Sequence, residues 1–93
     1  MQDTTCGQCG ASWTAPDMFT EDLRSVVSSW VRAGNTILAM QHIRATSPLN
    51  FSDAEAITLH ITKEPGICHI CSYPLTGEPT DHCPFCQAVN YDW

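Results

Sequence analysis

Basic residues are scarce in this 93-residue chain. Only Arg24, Arg32, Arg44 and Lys63 are present, against ten acidic residues, for a net charge of -6. Phosphate backbones are gripped by clustered Lys and Arg. None cluster here, so nucleic acid is not an expected partner. Long apolar runs are also missing. None approaches the roughly 18 residues that a spanning helix needs, so no membrane role is expected. The first residues, MQDTTCGQ, have neither the basic nor the apolar region of a signal peptide, and a cytoplasmic protein is expected. The sequence lacks a Gly-rich phosphate loop and offers no arguable Ser-His-Asp or Cys-His arrangement. The expectation is a protein that is not an enzyme.

Cysteine, by contrast, is abundant for this length. The six cysteines form three Cys-x-x-Cys pairs: Cys6 with Cys9, Cys68 with Cys71, and Cys83 with Cys86. In a reducing compartment this pattern favours metal over disulfides. A chain of this size buries a modest core, so a metal staple would help it.

Three zones are expected. Residues 1–16 form an arm with the first cysteine pair. Residues 17–64 contain no cysteine and read as helical. Residues 65–93 open on Pro65-Gly66 and carry the other four cysteines. The expected fold is a small, metal-stabilised α+β protein, a short helical region followed by a C-terminal zinc ribbon.

Three helices are expected in the middle zone. Thr20 caps the first, with Glu21 and Asp22 in its opening turn. Leu23, Val26, Val27, Trp30 and Val31 fall on one helical face, and Gly34 ends it. Asn35 caps the second, with Ile37, Met40 and Ile43 inward, and Ser47-Pro48 stops it. Ser52-Asp53-Ala54-Glu55 reads as a capping box for the third, with Phe51 as its staple. Ala54, Ile57 and Ile61 form its apolar stripe, and Pro65-Gly66 ends it.

The stretch GNTILAMQHIRATSPLNFSDAEA resembles the helix–loop–helix of the bacterial ribosomal stalk protein's C-terminal domain. Ile37, Ile43, Arg44, Leu49, Asp53, Ala54 and Ile57 fall on matching positions. In that family the hairpin docks translational GTPases through a lysine-rich face. Here that face carries Ser52 and Glu55, so the resemblance implies the hairpin and not the GTPase contact.

Residues 68–86 read CHICSYPLTGEPTDHCPFC, two pairs separated by eleven residues. Each pair can wrap a tight turn that points both thiolates at one metal, and YPLTGEP can fold back as a hairpin. Cys68, Cys71, Cys83 and Cys86 are therefore expected to form one closed four-sulfur site. The stretch resembles the rubredoxin-like module at the end of rubrerythrins, and zinc ribbons generally. The shared features are Tyr73, Gly77-Glu78-Pro79, the Cys83-Pro84-x-Cys86 pair and Ala88. Ser72 and Gln87 stand where that family often has Gly. No Glu-x-x-His pair of a di-iron bundle is present, so peroxidase chemistry is not implied. Four thiolates accept Zn2+ or iron. Zinc would be structural, and iron would make a one-electron carrier. Zinc is favoured because the chain offers no flavin or di-iron partner. Metal removal is expected to unfold residues 65–93 first.

Four readings remain open for Cys6 and Cys9. They are a metal knuckle whose missing ligands come from His42, His60, His69, His82 or a second molecule in a homodimer; half of a split ribbon; a thiol–disulfide dithiol; and free thiols on a flexible arm. The first is favoured, because Gly10 follows the second cysteine as metal knuckles prefer. His69 and His82 are expected to cover the four-cysteine site, and His42 and His60 to be surface or half-buried. The expected function is a zinc-binding accessory module that meets a partner protein.

Overall fold

The computed structural model describes residues 3–93. Two short strands, β1 (Asp3–Thr5) and β2 (Ser12–Thr14), precede three helices, α1 (Glu21–Arg32), α2 (Thr36–Thr46) and α3 (Phe51–Leu59). Strands β3 (Thr80–His82) and β4 (Val89–Tyr91) follow. The chain is thus α+β, with two small antiparallel sheets, β1–β2 and β3–β4. No helix among the described residues is long and apolar enough to cross a membrane.

The helices begin largely where local chemistry places them. Thr20 Oγ1 accepts from the Leu23 N–H at 3.2 Å, satisfying an orphan donor of the first turn of α1. Val27 is buried, and Leu23, Trp30 and Val31 pack against the core beside it. In α2 the buried residues are Ala39 and Ile43, and Ile37, expected inward, is 66% exposed. Ala39 and Ile43, four residues apart, share one face, and Ile37, two residues before Ala39, falls about 200° round the helix from it. The cap of α3 also differs from expectation. Asn50, not Ser52, accepts from the Asp53 N–H, at 2.9 Å. Phe51 therefore lies inside the helix and half exposed. Asp53 is tied elsewhere, its carboxylate accepting from the Thr14 N–H at 3.2 Å.

Helix α3 stops at Leu59, well before Pro65. The reason is tertiary. The backbone of residues 60–62 leaves the helix to run beside β4. Tyr91 N–H donates to the His60 carbonyl at 2.9 Å, and Thr62 N–H to the Tyr91 carbonyl at 3.0 Å. Those bonds replace the ladder that another helical turn would have made. All three residues of β4 are buried, as expected of a strand covered on both edges and faces.

One core joins all parts of the chain. It contains Cys6 and Trp13 from the arm, Val27, Ile43 and Ile57 from the helices, and Cys83, Val89 and Tyr91 from the C-terminal stretch. Trp13 Nε1 donates to the Tyr91 hydroxyl at 2.8 Å across 78 residues of sequence. Arg32 closes the opposite side, its guanidinium donating to the carbonyls of Thr62 and Trp93 and to Thr62 Oγ1. The tail aromatics Tyr91 and Trp93 thus fold back over the core.

Candidate metal centre

The three cysteine pairs adopt the same backbone. In each, the first cysteine donates its N–H to the carbonyl five residues on: Cys6 to Ala11, Cys68 to Tyr73, and Cys83 to Ala88, all at 2.9 Å. In each, the residue four positions on returns an N–H to the first cysteine's carbonyl: Gly10, Ser72 and Gln87, at 2.9, 3.1 and 2.9 Å. That returning residue is left-handed in all three, with φ of 75, 64 and 69°. The residue before each first cysteine pairs with the one seven further on, as Thr5 with Ser12, Ile67 with Pro74, and His82 with Val89. The molecule therefore carries three copies of one knuckle. Each turns the chain so that its paired sulfurs face one side, with backbone N–H groups aimed at them.

The copies differ at the left-handed residue. Gly10 has no Cβ to clash there, while Ser72 and Gln87 must tolerate the strain. Ser72 is exposed. Ser72→Gly is expected to raise stability by about 0.5–1 kcal/mol. Gly10→Ala is expected to lower it by a similar amount, since no side chain or backbone crowds that position. Denaturant titration of the two variants checks both signs.

The second and third knuckles converge. Cys68, Cys71, Cys83 and Cys86 bring their sulfurs within 4.8 Å of one another. The closest pairs run between knuckles, Cys68 Sγ to Cys86 Sγ at 3.6 Å and Cys71 Sγ to Cys83 Sγ at 3.5 Å. Tetrahedral metal–sulfur bonds of about 2.3 Å place sulfurs roughly 3.8 Å apart, so the cluster has the dimensions of a four-cysteine metal site. All six cysteines are free thiols.

Donors surround the sulfurs. The Asn90 amide donates to Cys68 Sγ at 3.4 Å, and the Cys86 N–H to Cys83 Sγ at 3.5 Å. Burial pushes the Cys68 thiol up. The N–H groups of Cys71 and Ile70, the Asn90 amide and Cys86 outweigh it and bring Cys68 down to about 6. Cys83 is lowered against burial by the N–H groups of Cys86 and Phe85. Burial raises the Cys71 thiol, with the Cys83 and Cys68 sulfurs adding to the rise. Cys86 is pushed up to about 12 by burial, with the sulfurs of Cys71, Cys68 and Cys83 adding to it. The four thiols thus divide, Cys68 and Cys83 pulled down by N–H donors and Cys71 and Cys86 pushed up by burial and neighbouring sulfurs. That chemistry fits a bound divalent metal.

The first knuckle lies apart from this cluster but shares β4 with it. The Val89 N–H donates to Cys6 Sγ at 3.5 Å. Next along the strand, Asn90 serves Cys68. Gly7 packs on Gln87, where an added Cβ would come within 2.9 Å of the Gln87 carbonyl oxygen. Comparison with protein-family models, curated proteins and solved structures gives no match.

The histidines divide differently from expectation. His60, expected at or near the surface, is 5% exposed. Its ring packs on Trp13 at a 36° tilt with centroids 4.2 Å apart. Its Nε2 lies 3.5 Å from Cys9 Sγ. Burial holds its imidazole below the usual range, opposed by the Ala56 carbonyl and aided by His69. His69, expected to cover the four-cysteine site, donates its backbone N–H to Asn90 Oδ1 at 2.9 Å and turns its ring edge-on to His60. His82 is exposed on β3, and His42 is half-buried on α2. Sequence reasoning did not single out Asn90. Nothing in the stretch QAVNYDW marks it, because its role depends on β4 lying between the knuckles.

Proposed function

We propose that the protein is a small zinc-binding module. Cys68, Cys71, Cys83 and Cys86 hold one structural Zn2+, and the chain acts as an accessory protein by docking onto a partner protein. The observation that carries this reading is the convergence of two identical knuckles whose four sulfurs lie at metal-site spacing. Four protein ligands leave no position for water, so the ion would be structural rather than catalytic. The likeness of residues 68–86 to zinc ribbons and rubredoxin-like modules supports the same donor set.

The docking half of the proposal rests on side chains around the knuckles. Tyr73 and Phe85 stack with ring centroids 5.9 Å apart, and Phe85 is 74% exposed. Ile70 is also exposed nearby in sequence, within the second knuckle. Aromatic side chains are enriched in protein interfaces, and here the metal would hold the loops that carry them.

An iron-bearing electron carrier is the competing reading, favoured by the N–H···S bonds that an iron–thiolate site also uses. Colour separates the two. Protein purified aerobically is expected to be colourless and to contain zinc. A red protein that absorbs in the visible and contains iron would replace this reading with the electron carrier. A thiol–disulfide role for Cys6 and Cys9 is less favoured. That pair lies at the tip of the β1–β2 hairpin, without the helix N-terminus that activates such dithiols.

A further inference from the structure

We propose that Cys6, Cys9 and His60 form a second metal site, one with three protein ligands and an exchangeable fourth position. The proposal does not rest on the four-cysteine reading, because none of its ligands belongs to that cluster.

Four independent observations converge on it. First, Cys6 and Cys9 share the backbone of the two pairs that build the four-cysteine cluster, down to the left-handed residue at Gly10. That backbone aims two sulfurs at one point. Second, Cys6 Sγ, Cys9 Sγ and a nitrogen of His60 all lie within 4.8 Å of one another. The contact between Cys9 Sγ and His60 Nε2 is 3.5 Å. A tetrahedral ion with metal–sulfur near 2.3 Å and metal–nitrogen near 2.0–2.1 Å sets that separation at roughly 3.6 Å.

Third, the imidazole is prepared as a ligand. His60 Nδ1 lies 2.6 Å from the Ala56 carbonyl, one turn back in α3. A carbonyl only accepts, so Nδ1 carries the proton and Nε2 presents its lone pair toward Cys9. This is the support that metal-binding histidines usually have. Trp13 packs against the ring at a 36° tilt and limits its rotation. Fourth, the Val89 N–H donates to the buried Cys6 Sγ, as N–H groups do to metal-bound thiolates.

The ligand count gives the site its character. Two thiolates and a neutral imidazole suit Zn2+ or another borderline divalent ion. Their charges cancel that of the ion, whereas four thiolates leave about -2. Three protein ligands leave the fourth place to water or an incoming donor, as in zinc sites that do chemistry. Cys9 is exposed while Cys6 and His60 are buried, so the open place lies on the Cys9 side. His69 packs edge-on to His60 with ring centroids 5.2 Å apart, but its nitrogens do not join the group.

Metal counting and Co2+ substitution on the full chain test this. Wild type is expected to bind two ions per chain, matching the two ligand groups. Cys9→Ser changes an exposed atom, and is expected to bind one ion with its far-UV circular dichroism unchanged. His60→Gln is expected to do the same. Co2+ at the second site should give d–d bands that shift on adding imidazole, while the four-sulfur bands stay fixed. One ion per chain in wild type that Cys9→Ser still retains, or two retained in both variants, would overturn the proposal; one ion that Cys9→Ser loses would overturn the four-cysteine reading instead. Co2+ bands indifferent to imidazole would overturn its open fourth position. Should either variant fail to fold, zinc-edge absorption of wild type decides. Nitrogen in the averaged shell upholds the site, and sulfur alone refutes it.

Discussion

Removing the metal from the four-cysteine cluster is expected to unfold the whole chain in one step. Structural zinc contributes on the order of 10–16 kcal/mol in small metal-folded modules, while a domain's net stability is about 5–15 kcal/mol. The loss is therefore of the same size as everything the fold has in reserve. It cannot stay local, because the strand that the cluster positions is also the centre of the core. Cys83 begins the knuckle that leads into β4, and β4 contributes Val89 and Tyr91 to the same core as Trp13, Ile43 and Ile57. The three zones of the sequence suggest that residues 65–93 would melt first. The shared core predicts instead that the arm and helices go with them. Chelation, or Cys83→Ser, should collapse near-UV circular dichroism and amide dispersion together. A chelated protein that keeps native amide shifts in α1 and α2 would refute the shared-core account.

Trp13→Ala is expected to be the most damaging single change away from the four-cysteine ligands. Trp13 is 3% exposed, and truncating a buried Trp costs about 3–5 kcal/mol. For a chain of this size that lowers Tm by more than about 12 °C. The indole also binds the arm to β4 through Tyr91 and to the end of α3 through His60. Tyr91→Phe removes the acceptor for the Trp13 N–H together with a hydroxyl hydrogen bond to Thr4, and is expected to cost about 1–3 kcal/mol, the value of leaving a buried donor unmatched. Thermal unfolding should rank wild type above Tyr91→Phe, and Tyr91→Phe above Trp13→Ala. A near-neutral Trp13→Ala would mean that the arm is not part of the core.

Local signals are readable from the residues alone. Thr20 caps α1, and the spacing of Leu23, Val27, Trp30 and Val31 gives its face, because capping and period act within a few residues; Val26, expected on the same face, sits at its edge and is 40% exposed. The grouping of Cys68, Cys71, Cys83 and Cys86 follows from their spacing, since each pair carries its own turn. What escapes is non-local. His60 meets Cys9 across 51 residues of sequence, and only the early end of α3 aims it there. That end is set by the hydrogen bonds between residues 60–62 and Tyr91, which no propensity reports. The three-residue strands β1 and β2 are too short to show a period. Ser72 and Gln87, departures from the usual glycine, keep the left-handed turn regardless. The knuckle hydrogen bonds outweigh a strain of about 1–2 kcal/mol per residue. Asn50 rather than Ser52 caps α3, a shift of two residues that the favourable residues on both sides leave undecided.

The central claim is one metal held by four sulfurs from two knuckles. Zinc-edge X-ray absorption on the Cys9→Ser variant tests it most directly, because that change leaves all four ligands of the Cys68, Cys71, Cys83 and Cys86 group in place. The predicted shell is four sulfurs at about 2.3 Å, with no nitrogen or oxygen. A shell containing nitrogen or oxygen, or a folded protein without metal, would contradict it.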